Sequence, residues 1–432
     1  MLVAAAFRVH TFYLPHNHGD QVHYLCLAMK LDSSGLKDYN LKGIDCVRNM
    51  ETLKVVPSLD KEKGQVLRWL EEHNVLYYSN EPVTNMPPAF SYALMLSHRM
   101  FSPGSPYMSV EEDFGAEAIL VRPKAFFDTQ FYAVWINFAL SLLLIMLTFA
   151  LGKALFDEKV GLWASALLAV SPVDLLTSQR LWADEMTAFF ALVSLLLLFY
   201  AQKKNNILLL AAAGISAGLC ALSKATGLFV IVIAVAYLAC RTFLPGRNVP
   251  PGRNVPPGRS VLVFCVAALA VCGFWYMKIW HTYGTPFYAP HQPGIEKLTW
   301  WFNMLSQRSR LGQLYYFAWL SPLFVLAYLS LARFITRKEF SEGNLLLLSW
   351  FIIFSVLLIA ANGREERYML PAYPAIAVLS GFAIENIRGN LNAARRGIGN
   401  IVMILVFLAS CAWSLQLAFQ CVFNNGLIYN VF

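Results

Sequence analysis

Charge is what this sequence has least of. Only 14% of its 432 residues are Asp, Glu, Lys or Arg, while 57% are hydrophobic. A soluble globular domain carries about 25% charged residues, so a water-soluble fold of this length is excluded. The eight cysteines form no Cys-x-x-Cys pair, and most lie inside apolar runs, so neither a disulfide framework nor a zinc ribbon is indicated. Cys26 and Cys46 lie outside those runs, and a disulfide between them is left open. No cleavable leader is expected: Met1–Leu14 is apolar, but it carries Arg8 and His10 and no small-residue cleavage site follows. A basic stripe is also missing. The formal net charge is +8, yet its Lys and Arg residues are scattered over short loops, which argues against nucleic acid as a partner.

What is present is a series of apolar runs of about 18–22 residues, the length that crosses about 30 Å of hydrocarbon as a helix. Trp and Tyr gather near their ends, as in interfacial belts. Met1–Leu14 reads as the end of a first span, too short to cross alone, so the first span is expected to be truncated or to begin upstream. The later runs are Phe131–Leu151, Val160–Leu176, Met186–Ala201, Ile207–Leu222, Gly227–Cys240, Val261–Trp280, Gly312–Phe334, Leu345–Ala361, Tyr368–Ile387 and Ile401–Phe419. The expectation is an all-α polytopic membrane protein with roughly eleven spans, residues 1–432 forming a single transmembrane domain with no soluble C-terminal domain.

Orientation follows from the basic residues of the short loops. Lys153, Lys159, Lys203, Lys204, Arg241, Arg247, Arg253, Arg259, Arg337, Lys338, Arg388, Arg395 and Arg396 mark one side as cytoplasmic. The long segment 15–130 then lies outside. Within it Gln21–Leu31, Lys61–His73 and Ala89–Arg99 have apolar faces at helical spacing, suited to the membrane surface or the bundle. The pair Pro87-Pro88 would open the third of these in its first turn. Residues 245–260 repeat Pro-Gly-Arg and read as a flexible cytoplasmic loop. Gly214 and Gly218 read as a close helix contact.

Charges beside membrane helices are costly and tend to be functional. At the outer ends of the spans stand Asp20 in HNHGDQVHY, Asp184 and Glu185 in SQRLWADEMTAFF, Lys224 in ALSKATG, and Arg364, Glu365, Glu366, Arg367 and Tyr368 in NGREERYMLPAYP. Plainer readings stand beside each. Asp184 and Glu185 suit a helix N-terminus, Asp20 suits an N-cap, Lys224 suits snorkelling to the interface, and the Arg-Glu-Glu-Arg run suits a solvated loop. Carboxylates and cations gathered on one side suit an anionic substrate and a proton acceptor. His16, His18 and His23 flank Asp20, and a divalent metal there is an open possibility on ligand type alone.

On these residues the chain resembles the GT-C superfamily of polyprenyl-phosphate-sugar-dependent glycosyltransferases, in the branch of protein O-mannosyltransferases and the lipid A aminoarabinose transferase. The likeness runs from about Arg8 to Ile384. Gly19-Asp20-Gln21-Val22-His23-Tyr24 resembles the acidic motif after the first span, with Gln21 where the family usually has its second acid. Leu167–Phe190 resembles the second acidic region, with Asp184 at the acid. Gly214–Phe229 resembles the Gly-rich span ending in Lys, here Lys224. Phe274–Phe287 resembles the Trp-Tyr…Tyr-Gly-x-Pro region, and Arg364–Gly381 the Arg-Tyr-x-x-Pro-x-x-Pro region.

The resemblance implies transfer of a sugar from a dolichyl- or undecaprenyl-phosphate donor to an acceptor hydroxyl on protein, lipid or glycan, with inversion. It implies Asp20 as base and Asp184 as a second catalytic acid that orients the acceptor or the base, or ligates a metal if one is used. Lys224, Arg364, Arg367 and Tyr368 would hold the donor phosphate, with Glu185 and Glu366 as secondary acids. Partners are then the lipid-linked donor, the acceptor and membrane lipids. The expected membrane is the prokaryotic plasma (inner) membrane, with the endoplasmic reticulum as alternative. Two other readings remain: a transporter or flippase of a lipid-linked sugar, disfavoured because no half-to-half repeat is visible, and a non-catalytic relative, to which Gln21 is suited.

Overall fold

The computed structural model describes residues 1–9, 24, 27, 28, 30–33, 35, 86–101, 131–241, 257–283, 321–360, 366–390 and 393–423. Among these no strand occurs. The helices are α1 (Leu2–Val9), α2 (Pro88–Phe101), α3 (Phe131–Leu155), α4 (Glu158–Ala169), α5 (Pro172–Thr177), α6 (Asp184–Lys204) and α7 (Ile207–Ser223). They continue with α8 (Leu228–Cys240), α9 (Pro257–Tyr283), α10 (Leu326–Thr336), α11 (Glu342–Ala360), α12 (Tyr373–Gly389) and α13 (Ala393–Phe423). Four stretches are helical, long and apolar enough to cross a bilayer: Trp135–Leu155, Asp184–Lys204, Gly258–Thr282 and Arg367–Asn390. Shorter apolar helices accompany them, including Ile207–Ser223 and Glu342–Leu358. The protein is an integral membrane protein built as a helical bundle.

Helix α7 lies between α6 and α9, and small residues set its distances. A Cβ on Gly214 would lie 2.4 Å from the carbonyl oxygen of Phe264, and one on Gly218 would lie 2.6 Å from that of Ala268. The backbones of α7 and α9 therefore touch, as small-residue contacts allow where lipid supplies no hydrophobic drive between helices. Toward α6 the contact is polar: Ser194 donates to the carbonyl of Ala213 at 2.9 Å, and Ser216 donates to that of Phe190 at 3.0 Å. On the other flank α4 sits between α3 and α12. Outward faces carry apolar residues, Leu262, Val266 and Leu269 on α9 and Ile401, Leu405 and Leu408 on α13, as a lipid-facing surface requires.

Three sequence expectations are corrected here. The run Val160–Leu176 is not one helix: α4 ends at Ala169, Ser171 is extended, and α5 is a separate six-residue helix. Pro172 is the reason, since proline disfavours helical backbone at the residue before it and fits only the first helical turn. The repeat segment 245–260 is not all loop, because Pro257 opens α9 in the one helical position that tolerates it. The run beginning at Tyr368 opens as a 3-10 segment, Glu366–Ala372, and becomes α-helical only from Tyr373. Pro371 within it leaves a carbonyl that the Trp350 indole of α11 satisfies at 3.0 Å.

Of the surface helices expected in 15–130, α2 extends the third from Pro88 to Phe101 and packs against α3 and α7. Within the first, residues 24, 27, 28, 30 and 31 are helical, as are 32 and 33 just beyond it, and Lys61–His73 lies outside the described residues.

The two ends of the bundle differ in chemistry. One holds Lys153 with Glu158 at 3.3 Å, Arg241 with Glu342 at 2.6 Å, Arg333 with Glu339 at 3.1 Å and Arg388 with Glu385 at 2.5 Å. These pairs sit where α3, α8, α10 and α12 finish. The start of α6, the end of α7 and the 366–372 segment come together at the opposite end.

Candidate active site

The site grows out of the broken segment between α4 and α6. Residues 170–183 contain only the short helix α5, yet 171–185 are all buried. Irregular backbone buried in a membrane protein must have its polar groups satisfied internally. Two side chains from other helices do this. Arg8 of α1 donates to the Ala169 carbonyl at 3.1 Å, at the end of α4. Asn137 of α3 donates to the carbonyls of Arg180 at 2.6 Å and Trp182 at 2.8 Å.

At the end of this segment Asp184 begins α6. Ala183 is the N-cap, so Asp184 and Glu185 both stand in the first turn, as the helix N-terminus reading has it. Lys224 also donates to Asp184 Oδ1 at 2.7 Å, and Arg367 Nη1 stands 3.9 Å from Oδ2. Lys224 reaches it because it ends α7 in an extended conformation. The following turn is tight: a Cβ on Gly227 would lie 2.1 Å from the Cys220 carbonyl, so only glycine fits there. Arg367 arrives from the 3-10 segment that precedes α12.

Aromatic faces hold both cations. The Lys224 ammonium lies 4.1 Å from the centre of the Tyr368 ring, and the Arg367 guanidinium lies 3.9 Å from that of Trp182 and 5.3 Å from that of Tyr368. Such contacts contribute about 0.5–2 kcal/mol each, more when desolvated. The Asp184 and Arg367 side chains are almost wholly buried, and Lys224 is 14% exposed. Asp184 Oδ2 accepts no hydrogen bond. Among the described residues, two cations thus stand around one carboxylate.

Glu185, the next residue, faces a second buried cluster. Its Oε1 lies 2.5 Å from the Thr177 hydroxyl, and its Oε2 accepts no hydrogen bond. Arg8 forms an ion pair with Asp174 and donates to Ser141 at 2.7 Å, while Ser141 donates to Asp174 at 2.8 Å. Arg8, Asp174 and Glu185 are fully buried.

Of the residues singled out in the sequence, Asp184, Lys224, Arg367 and Tyr368 are thus brought together, with Glu185 on the neighbouring face of α6. Asp20 and Arg364 lie outside the described residues, as do the side chain of Glu366 and the histidines His16, His18 and His23. Among the described residues no group of three or more His, Cys, Asp or Glu has the arrangement of a metal site. The sequence reading missed Trp182 and Asn137, and it did not pair Arg8 with Asp174. The signal for that pair was present: one cation and one acid, each alone in an apolar run, call for each other inside a membrane.

The comparisons with known proteins meet this geometry. Residues 124–249 match the family described as Dolichyl-phosphate-mannose-protein mannosyltransferase. That stretch contains Asp184, Glu185 and Lys224. No curated protein sequence matches. Among solved structures, apo ArnT from Cupriavidus metallidurans is similar with a TM-score of 0.56 at 14% identity, over 94% of this chain and 62% of that one. ArnT bound to undecaprenyl phosphate gives 0.54 at 15% identity, over 100% and 72%. The archaeal oligosaccharyltransferase AglB from Archaeoglobus fulgidus, in complex with an inhibitory peptide and a dolichol-phosphate, gives 0.59 at 13% identity, over 96% and 55%.

The fold is that of the ArnT and AglB structures. The chain spans 62% of the length of apo ArnT and 55% of AglB, so it corresponds to part of each. Within this bundle the cations at the site come from two separate regions: Lys224 lies inside the stretch matched by the mannosyltransferase family, and Arg367 lies beyond it, with Tyr368.

Proposed function

We propose that the chain is a membrane glycosyltransferase that moves a sugar from a polyprenyl phosphate to an acceptor hydroxyl, with residues 1–432 acting as one catalytic unit. The observation that carries this reading is the buried group in which two cations, Lys224 and Arg367, meet at the Asp184 carboxylate and rest on aromatic rings. The bound undecaprenyl phosphate of ArnT and the dolichol-phosphate of AglB support a donor of the same chemistry here.

The physical logic runs from the donor. A sugar on a polyprenyl phosphate needs little general acid, because the leaving phosphate is a weakly basic anion. It needs preorganised cations in a site of low dielectric. Lys224 and Arg367 fill that role, joined by Arg364 and by the hydroxyl of Tyr368. The acceptor oxygen attacks C1, the bond from C1 to the phosphate oxygen breaks, and the acceptor proton passes to Asp20 as general base. The configuration at C1 inverts. Asp184 fixes both cations through Oδ1 and Oδ2 and orients the acceptor, with Glu185 and Glu366 as secondary acids.

The basic end of the bundle faces the cytoplasm in this reading, by the positive-inside rule, and the site faces the opposite side of a prokaryotic plasma membrane. Acceptor classes are protein, lipid or glycan. The test is a transfer assay with the purified chain in lipid, supplied with undecaprenyl-phosphate-linked sugars and extracytoplasmic glycolipid or protein acceptors. Sugar transfer that Asp20→Asn abolishes supports the reading. Transfer that survives Asp20→Asn removes Asp20 as the base. Translocation of the intact lipid-linked sugar across vesicles without transfer would replace the transferase by a flippase.

A further inference from the structure

The cation that the mechanism relies on does not stand alone. Its guanidinium lies face-on to Trp182 at 3.9 Å from the ring centre, and Trp182 is 3% exposed. Trp182 belongs to no helix; it sits in the buried irregular stretch 178–183. Nothing in regular secondary structure fixes an indole in such a stretch. What fixes it is Asn137 of α3, fully buried, whose amide group donates to the carbonyls on either side of Leu181, those of Arg180 and Trp182. One side chain thereby ties down the two peptide groups that set the direction of the indole. The carboxamide is well matched to this task, since it offers two donors and carries no charge into a buried place.

We propose that Trp182 and Asn137 are positioning residues for the donor phosphate: Asn137 fixes the backbone of 180–182, Trp182 presents its ring, and the ring sets the plane of the Arg367 guanidinium. The proposal rests on the reading of Arg367 as a phosphate ligand. An arginine fork binds phosphate through directed N–H groups, so its plane matters as well as its charge. The ring face also gives the guanidinium a neutral partner in a site where Asp184 is already shared with Lys224.

The test is binding of undecaprenyl phosphate to the purified full chain in lipid nanodiscs, with thermal stability measured alongside. Trp182→Leu is expected to weaken binding by about 5- to 30-fold, the equivalent of one desolvated cation–π contact. Trp182→Tyr, which keeps an aromatic face, is expected to recover most of it. Asn137→Leu is expected to weaken binding while leaving Arg367 and Trp182 unchanged in sequence. Where Trp182→Leu does not fold, site-specific fluorinated tryptophans at 182 keep the shape and withdraw charge from the ring. Affinity should then fall with each added fluorine. Wild-type affinity in Trp182→Leu, equal losses in the Leu and Tyr variants, or affinity indifferent to fluorination would each overturn the proposal. Arg367→Ala separates the two levels: unchanged binding there sinks the phosphate reading itself. Weakened binding there with normal binding in Trp182→Leu sinks only the positioning role.

Discussion

Lys224 and Asp184, forty positions apart in sequence, meet at 2.7 Å where the end of one apolar helix passes the start of another. Neither is an isolated membrane charge that has found its nearest partner, because Arg367 approaches the second oxygen of the same carboxylate and both cations rest on aromatic rings. Among the described residues, two cations from two different elements thus converge on one carboxylate.

The first prediction concerns Lys224. Lys224→Ala should lower kcat/KM for the lipid-linked donor by about 100-fold or more, the scale of losing one preorganised charge-stabilising donor. Lys224→Arg should restore part of it, since charge is kept but the reach to Asp184 changes. Steady-state kinetics with the donor varied checks this, and a Lys224→Ala enzyme with normal kcat/KM would contradict it.

Asp184 should behave in the opposite way on binding. Asp184→Asn removes a negative charge held between two cations, so affinity for undecaprenyl phosphate should hold or rise. Turnover at saturating donor should fall by about 100-fold, because the cations and the acceptor lose their common anchor. Binding and kcat measured on the same preparation separate the two effects. Loss of binding together with turnover would show that Asp184 serves the fold rather than the reaction.

The Arg8–Asp174 pair has a different signature. Both side chains are fully buried, and removing one partner strands the other. Arg8→Leu or Asp174→Leu should each cost about 3–5 kcal/mol, whereas the double variant should recover much of that loss. Thermal midpoints of the three variants in detergent test the cycle. Additive losses would show that the pair is not coupled.

At the contact between α7 and α9, Gly214→Val and Gly218→Val should both lower the thermal midpoint and the yield of folded protein. Their first added carbon would stand 2.4 Å and 2.6 Å from backbone carbonyls that have no room to move. Gly397→Ala on α13, where a Cβ meets nothing, is the control and should be neutral.

Much of this was legible in the sequence, for identifiable reasons. The spans follow from apolar runs of the right length. Asp184, Lys224 and Arg367 stood out because charge at a span end is rare and because they fell on one side, with Tyr368 beside Arg367. Lys224, Arg364 and Arg367 are the exceptions to the positive-inside pattern; the structure places Lys224 and Arg367 at one carboxylate, and Arg364 lies outside the described residues. What stayed hidden has a physical cause too. Trp182 and Asn137 look like an interfacial ring and a stray amide, since their role lies in backbone carbonyls that no one-dimensional pattern records. The split of Val160–Leu176 depends on a single proline in an otherwise continuous apolar run. Hydropathy cannot register that break, although Pro172 alone forecasts it.

The central claim is that Lys224 and Arg367 form a seat for a lipid phosphate. Its most direct test needs neither the sugar nor the acceptor. Purified wild-type chain and the Lys224→Ala and Arg367→Ala variants are placed in nanodiscs, and binding of undecaprenyl phosphate is measured against undecaprenol, which lacks the phosphate. The account predicts saturable binding of the phosphate by the wild type, no comparable binding of the alcohol, and a loss of at least about tenfold in each variant, about 1.4 kcal/mol. Equal affinity for phosphate and alcohol, or variants that bind as the wild type does, would contradict it.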